Sequence, residues 1–257
     1  MDIRDKVILI TGASEGIGAA CAGVFRAGGA RVVLNSRFQD KLQTVAKEGD
    51  LIVPADLYDG KDRRRLIETV IGERGRIDVL INNAGVGVYG PAWNASEAET
   101  RKLFELNFFA PLHLAQLAAR HMREQRSGYI VNVSSIAGKI TLPWLTLYSA
   151  SKYALGSLTD GLRMELAPFG IHAMVVCPGY VLTNFQQNVL SSGRPPERLA
   201  RSRRFAITAE ECARAIVRGV ERNARTVMAP RGGWALVALA RLFPRIMDSV
   251  LRRMEQS

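Results

Sequence analysis

The stretch that most restricts what this chain can fold into lies at its start. Residues 6–11 (KVILIT) form an apolar run that reads as a buried strand. It feeds directly into Gly12, Gly16 and Gly18, beyond which residues 17–27 have the small and apolar content of a helix. Strand, glycine turn and helix in that order make a phosphate cradle, because glycines let the backbone approach a ligand and the helix N-terminus presents unpaired amides. Gly12, Ser14, Gly16, Ile17 and Gly18 are therefore candidate cofactor-binding residues. Their Gly-x-x-x-Gly-x-Gly spacing differs from the Gly-x-Gly-x-x-Gly of most dinucleotide folds, so placement after an N-terminal strand carries the reading.

Beyond the turn, apolar strands alternate with helical stretches. Strands are expected at 30–35, 51–55, 77–82, 129–133, 171–177 and 226–229, and helices at 63–75, from the Ser96/Glu99 capping box to about 126, at 147–166 and at 208–221. With 257 residues, 47% of them hydrophobic, and no repeat or linker, this is the pattern of one α/β domain with a large core. Three scattered cysteines, at 21, 177 and 212, suit a reducing compartment, and the histidines at 113, 121 and 172 lack ligand spacing, so no metal is expected. Residues 1–6 are charged and run straight into the first strand, which leaves no room for a signal peptide; a cytoplasmic protein is expected. The net charge of +11 alone does not call for nucleic acid, and none is expected as a partner.

Strand ends supply the remaining binding candidates. Ser36 and Arg37 follow the second strand, where an acid would hydrogen-bond a free ribose 2′-hydroxyl. A guanidinium there suits a 2′-phosphate, so NADP(H) is expected, with NAD(H) the alternative that Glu15 in the glycine turn favours. Arg37 as a plain solvated cation is the bland reading. Asp56, followed by Leu57, either accepts from an adenine amino group or caps the next helix. Asn83, Ala84 and Gly85 let the chain pass close to a cofactor or pin neighbouring strands. Pro178, Gly179, Val181 and Thr183 follow the sixth strand, where they can wrap the nicotinamide half with Thr183 near its carboxamide. The polar, arginine-rich residues 184–206 read as a lid.

The chemistry is expected within residues 128–152 (GYIVNVSSIAGKITLPWLTLYSASK). Ser135 ends a buried strand, and Tyr148 and Lys152 stand one turn apart on a helix face. An adjacent ammonium favours the phenolate, so Lys152 is expected to lower the pKa of Tyr148, with Ser135 holding a substrate oxygen while Tyr148 exchanges a proton. Tyr-x-x-x-Lys spacing alone arises often by chance. Asn107, an amide within the apolar FELNFFAPLHLAQL, needs a partner for its side chain, and Pro111 suggests a kink.

Together, TGASEGIG at 11–18, NNAG at 82–85, Asn107, Ser135, YSASK at 148–152 and PG at 178–179 stand in one order that resembles the short-chain dehydrogenase/reductase family over about residues 5–230. The resemblance implies a Rossmann-type doubly wound parallel sheet of about seven strands flanked by helices, and a homodimer or homotetramer. It also implies Tyr148 as proton donor or acceptor, Ser135 orienting the carbonyl, Lys152 holding the nicotinamide ribose and Asn107 anchoring a relay water. Glu15, where NADP-preferring relatives often carry a basic residue, is a departure.

Residues 1–230 are thus expected to form the catalytic domain and residues 231–257 a C-terminal amphipathic extension of it. Leu236, Leu239, Ala240, Phe243, Met247, Val250, Leu251 and Met254 fall on one side of a helical wheel, with Arg241, Arg245, Asp248 and Arg252 opposite. The run is too short to span a bilayer and Pro244 divides it, which leaves packing on the domain or a dimer mate, a peripheral membrane contact through 234–254, or a cover for the substrate pocket. Val86, Trp144, Leu145 and Tyr180 point to an apolar carbonyl or alcohol substrate for an NADP(H)-dependent oxidoreductase. A redox-silent sensor with the same fold and a membrane-surface lipid reductase are the alternatives.

Overall fold

Successive residues of the central strands belong to two different apolar cores, which makes the sheet a middle layer. In β1 (Val7–Thr11), Val7 and Leu9 join one core while Ile8 and Ile10 join the other. The computed structural model describes residues 1–187, 189, 190 and 206–255. Seven strands lie in the order β3-β2-β1-β4-β5-β6-β9, every neighbouring pair parallel. The others are β2 (Arg31–Asn35), β3 (Leu51–Ile52), β4 (Val79–Asn82), β5 (Gly128–Val133), β6 (Ile171–Pro178) and β9 (Thr226–Ala229). Parallel strands buried on both faces must be apolar along their length, and the wholly buried VILIT of β1 and GYIVNV of β5 meet that demand.

Helices cover each face. On one, α1 (Gly16–Ala27) packs against α7 (Ala209–Glu221). On the other lie α3 (Gly60–Arg74), α5 (Ala110–Gln125) and α6 (Thr146–Leu166). The short α2 (Gln39–Val45) follows β2 and has no counterpart among the sequence expectations. A small parallel pair of β7 (Val181–Leu182) and β8 (Ile207–Thr208) was likewise unforeseen. The capping box of α7 is Thr208 with Glu211, each side chain bonded to the other residue's backbone amide.

Several boundaries differ from expectation, three of them near the site. The third strand stops at Ile52 rather than residue 55, although the Val53 amide still donates to the Leu34 carbonyl of β2 and the Ala55 amide to the Ser36 carbonyl just beyond it. The helix expected at 63–75 begins at Gly60, capped by Asp59 and not by Asp56, and ends at Gly75 in a left-handed conformation. The helix expected to run through Asn107 is interrupted. After α4 (Glu97–Phe104), residues Glu105–Phe109 form one π turn before α5, and this wide turn aims Asn107 inward. Much of the expected lid, including Gly193, Pro195, Pro196 and Arg194, Arg198, Arg201, Arg203 and Arg204, lies outside the described residues.

The C-terminal segment forms α8 (Gly233–Leu242) and α9 (Pro244–Glu255), divided at Pro244 as its ring requires. Val237 is 2% exposed and packs with Cys177 and Met228 at the ends of β6 and β9, with Ala240 and Leu251 joining the same cluster. No helix among the described residues is long and apolar enough to cross a membrane.

Candidate active site

Parallel strands end at one edge of the sheet, and the order reverses between β1 and β4, which opens a crevice at their C-terminal ends. A cavity of about 1500 Å³ lies there. Gly12, Ser14, Gly16 and Ile17 line it from the glycine turn, Ser36 and Arg37 from the end of β2, and Asp56 and Leu57 from beyond β3. Asn83, Ala84 and Gly85 line it from β4, Ser135 from β5, Tyr148 and Lys152 from α6, and Pro178, Gly179, Val181 and Thr183 from β6 and after.

The glycine turn has no room for side chains. Gly12 sits at φ +62°, and a Cβ there would stand 2.9 Å from the Ala84 Cα. A Cβ on Gly18 would collide with the Gly12 carbonyl, so Gly18 lies beneath the turn and shapes it without lining the cavity, contrary to the expectation of direct contact. Thr11, which sequence reasoning missed, locks this turn to β4: its Oγ1 donates to the Ile81 carbonyl and accepts from the Asn83 and Ala84 amides at 3.0 and 3.1 Å. Asn83 answers by donating to the carbonyls of Thr11 and Gly12. At the N-terminus of α1, Glu15 makes no side-chain cap, so no carboxylate claims the helix's first amides through a cap.

The adenosine end is richer than the sequence suggested. The Arg37 guanidinium lies 5.3 Å from the Phe38 ring and 5.8 Å from the Tyr58 ring, and Lys41 of α2 sits 5.2 Å from Phe38 and 3.9 Å from the Glu15 carboxylate. Lys41 thus offsets the acidic departure in the glycine turn, a role hidden while α2 was unread. Ser36 Oγ accepts from the Phe38 amide, and Asp56 accepts from the Tyr58 amide in a tight turn. Buried Asn35 ties β2 to the chain beyond β3 by donating to the Val53 and Ala55 carbonyls.

At the other end, Ser135, Tyr148 and Lys152 come together as expected. Ser135 and Tyr148 both line the cavity, close enough for the Ser135 hydroxyl to act on the phenol, and Lys152 Nζ donates to the Val133 carbonyl at 2.9 Å and lies 5.7 Å from the Tyr148 ring. The electrostatics correct the sequence expectation. Burial raises the Tyr148 pKa above its ordinary value, with the Ser135 hydroxyl acting downward, while burial lowers Lys152 to about 8. Each group loses water as it enters the apolar site, and desolvation outweighs the mutual effect that the spacing suggested.

Asn107 does not line the cavity; it is fully buried behind it. Its Oδ1 accepts from the Val86 amide, and its Nδ2 donates to the Val86 carbonyl and to Ser151 Oγ, at 3.0, 2.9 and 3.1 Å. Ser151 Oγ in turn donates to the Tyr148 carbonyl at 2.8 Å. The partner that Asn107 needed is therefore protein, and the amide ties the loop after β4 to the helix carrying Tyr148. Gly85 permits this approach, since a Cβ there would stand 3.1 Å from Asn107 Oδ1. Below, Asn82 and Asn132 bond side chain to side chain at 2.8 Å across β4 and β5.

Residues 6–193 match the short chain dehydrogenase family. "Dehydrogenase/reductase SDR family member 7B" of Danio rerio is 34% identical over 270 residues, covering 98% of this chain and 87% of that protein. Among solved structures, a short-chain dehydrogenase/reductase from Burkholderia phymatum in complex with NAD superposes with TM-score 0.88 at 25% identity, over 96% of both chains. One from Burkholderia cenocepacia in complex with NADP does so with TM-score 0.82 at 26% identity, over 98% of this chain and 99% of that one. The chain belongs to the short-chain dehydrogenase/reductase family. It is an NAD(P)-dependent oxidoreductase acting on a small molecule, which sets aside the redox-silent sensor. Its residues fit a nicotinamide dinucleotide: the backbone of Gly12 and Gly16 lines a cavity that runs from Arg37 to Lys152, and Gly18 lets the turn close beneath it, where a Cβ would strike the Gly12 carbonyl.

Proposed function

We propose that this protein is an NADP(H)-dependent reductase of apolar ketones, aldehydes or 3-oxoacyl compounds. The observation that carries the reading is the apolar wall beside the Ser135 and Tyr148 pair: Val86, Tyr89, Leu142, Trp144, Leu145 and Phe185 line this side of the cavity. Arg37 and Lys41 favour a 2′-phosphate over a free hydroxyl at the adenosine end, with the first residues of α1 holding the pyrophosphate.

The bound nicotinamide supplies the hydride. Tyr148, kept protonated by burial, donates its phenolic proton to the substrate oxygen, and Ser135 Oγ holds that oxygen and steadies the tyrosinate left behind. Lys152 as ammonium stabilises that tyrosinate and would hold the nicotinamide ribose. Asn107 and Ser151 position Tyr148 through its backbone carbonyl. Asp56 and Leu57 would frame the adenine, Asn83, Ala84 and Gly85 the nearer ribose, and Pro178, Gly179, Val181 and Thr183 the carboxamide half; all of them line the cavity.

Self-association is supported by the exposed Phe109, Tyr153 and Met164 on the helical face, and a cytoplasmic setting by the unpaired cysteines. Peripheral membrane contact through residues 234–254 completes the proposal. NADPH and NADH consumption over a panel of ketones, aldehydes and 3-oxoacyl thioesters tests it: turnover with NADPH and an apolar member is expected. Activity with NADH alone, or with polar carbonyls only, overturns the specificity.

A further inference from the structure

The C-terminal helices are both a wall of the cavity and part of the outer surface. Leu236 and Leu239 of α8 and Ile246 and Val250 of α9 line the cavity, yet they are 43%, 44%, 58% and 48% exposed. They are therefore its rim, and on this side the rim is apolar. Immediately outside stand Trp234, Leu242 and Phe243, at 44%, 72% and 51% exposure. These side chains meet water although Val237 and Met247 anchor the same two helices at 2% and 6% exposure.

The charge beside them is mainly positive. Residues 231–255 carry five arginines against one aspartate and one glutamate. At about 100° per residue, Ile246 and Val250 fall between the buried Met247 and half-buried Leu251 on one side and a face bearing Arg245 and Arg252 on the other. An exposed apolar strip bordered by arginines is the arrangement of a helix lying in a lipid interface.

We propose that α8 and α9 dock the cavity mouth on an anionic lipid surface, so that a long-chain substrate passes from the leaflet across Leu236, Leu239, Ile246 and Val250 to Tyr148. This deepens the apolar-substrate reading above and rests on it for the substrate, while the docking itself is measured without catalysis.

The full chain would be sedimented with vesicles of phosphatidylcholine alone and with added phosphatidylserine. The parent is expected to bind the anionic vesicles at least tenfold better, and to lose that advantage in high salt. Leu242→Glu with Phe243→Glu, both outside the cavity lining, should reduce vesicle binding at least tenfold and leave the melting midpoint and the turnover of a short soluble ketone unchanged. Turnover of a long-chain ketone held in the vesicles should fall about tenfold. A parent that ignores anionic vesicles, or a double variant that binds them equally, overturns the proposal. A dimer that the double variant dissociates, without vesicle binding by the parent, overturns it in favour of a second copy on this face. Unchanged turnover of the vesicle-held ketone overturns the entry route. Vesicle binding lost in the variant, in a parent inert toward every carbonyl, upholds the docking and rejects the reductase reading.

Discussion

Lys152 shows how burial sets the working pH of this site. Its amine, lowered to about 8, keeps its proton below that value and loses it above, so reduction is expected to hold steady below about pH 8 and to decline above. A kcat profile that stays flat to pH 10 contradicts this. The linked stability effect has the opposite sense. Between about pH 8 and the ordinary lysine value of 10.5 the unfolded chain binds more protons than the folded one, so this group's penalty is full below pH 8 and fades as pH rises. The penalty is about 3 kcal/mol, less what the Val133 hydrogen bond returns. Urea unfolding should therefore find Lys152→Met about 2 kcal/mol more stable than the parent at pH 7, with the gap closing toward pH 10. The sequence made the Tyr148 and Lys152 pair legible, because a four-residue spacing on a helix fixes a shared face. It could not give the signs of their pKa shifts, which depend on how much water the packed strand ends exclude.

At the scale of elements, the π turn is the joint between fold and chemistry. Two of the three hydrogen bonds of Asn107 satisfy the Val86 amide and carbonyl, so Asn107→Ala strands a buried peptide group and should cost about 2–4 kcal/mol in urea unfolding. A loss below about 1 kcal/mol would mean that water replaces the amide. In the glycine turn, Gly18→Ala must displace the Gly12 carbonyl and should weaken NADPH binding at least tenfold by fluorescence titration. The sequence marked both residues, one as an amide in apolar company and one as part of a spaced trio. It did not show that each acts from behind the cavity wall, because a contact between elements distant in sequence, such as Asn107 with Ser151, leaves no local pattern. Lys41 stayed hidden for a related reason: α2 is seven residues long, too short for apolar periodicity to announce it.

On the scale of the whole molecule, the alternation of strands and helices made one α/β domain legible and the family resemblance its parallel sheet, while the strand order and the cavity at its switch point are visible only in the structure. Of the three readings left open for the C-terminal segment, packing on the domain and covering the pocket both hold, since Val237 is buried while Leu236 and Leu239 line the cavity. An amphipathic wheel identifies an apolar face but not which surface it meets. The apolar wall that includes Leu142, Leu145, Leu236 and Leu239 predicts a chain-length series: kcat/KM for 2-alkanones should rise up to about fourfold per added methylene until the wall is filled, as burial of about 0.8 kcal/mol per methylene implies. A flat series contradicts an apolar substrate site. All of this presumes that Tyr148 moves the proton, and Tyr148→Phe tests that most directly, with NADPH oxidation and NADPH affinity measured on the same preparation. Turnover should fall by about three orders of magnitude while the Kd for NADPH stays within about twofold of the parent. A variant that keeps turnover within about tenfold of the parent would contradict the assignment.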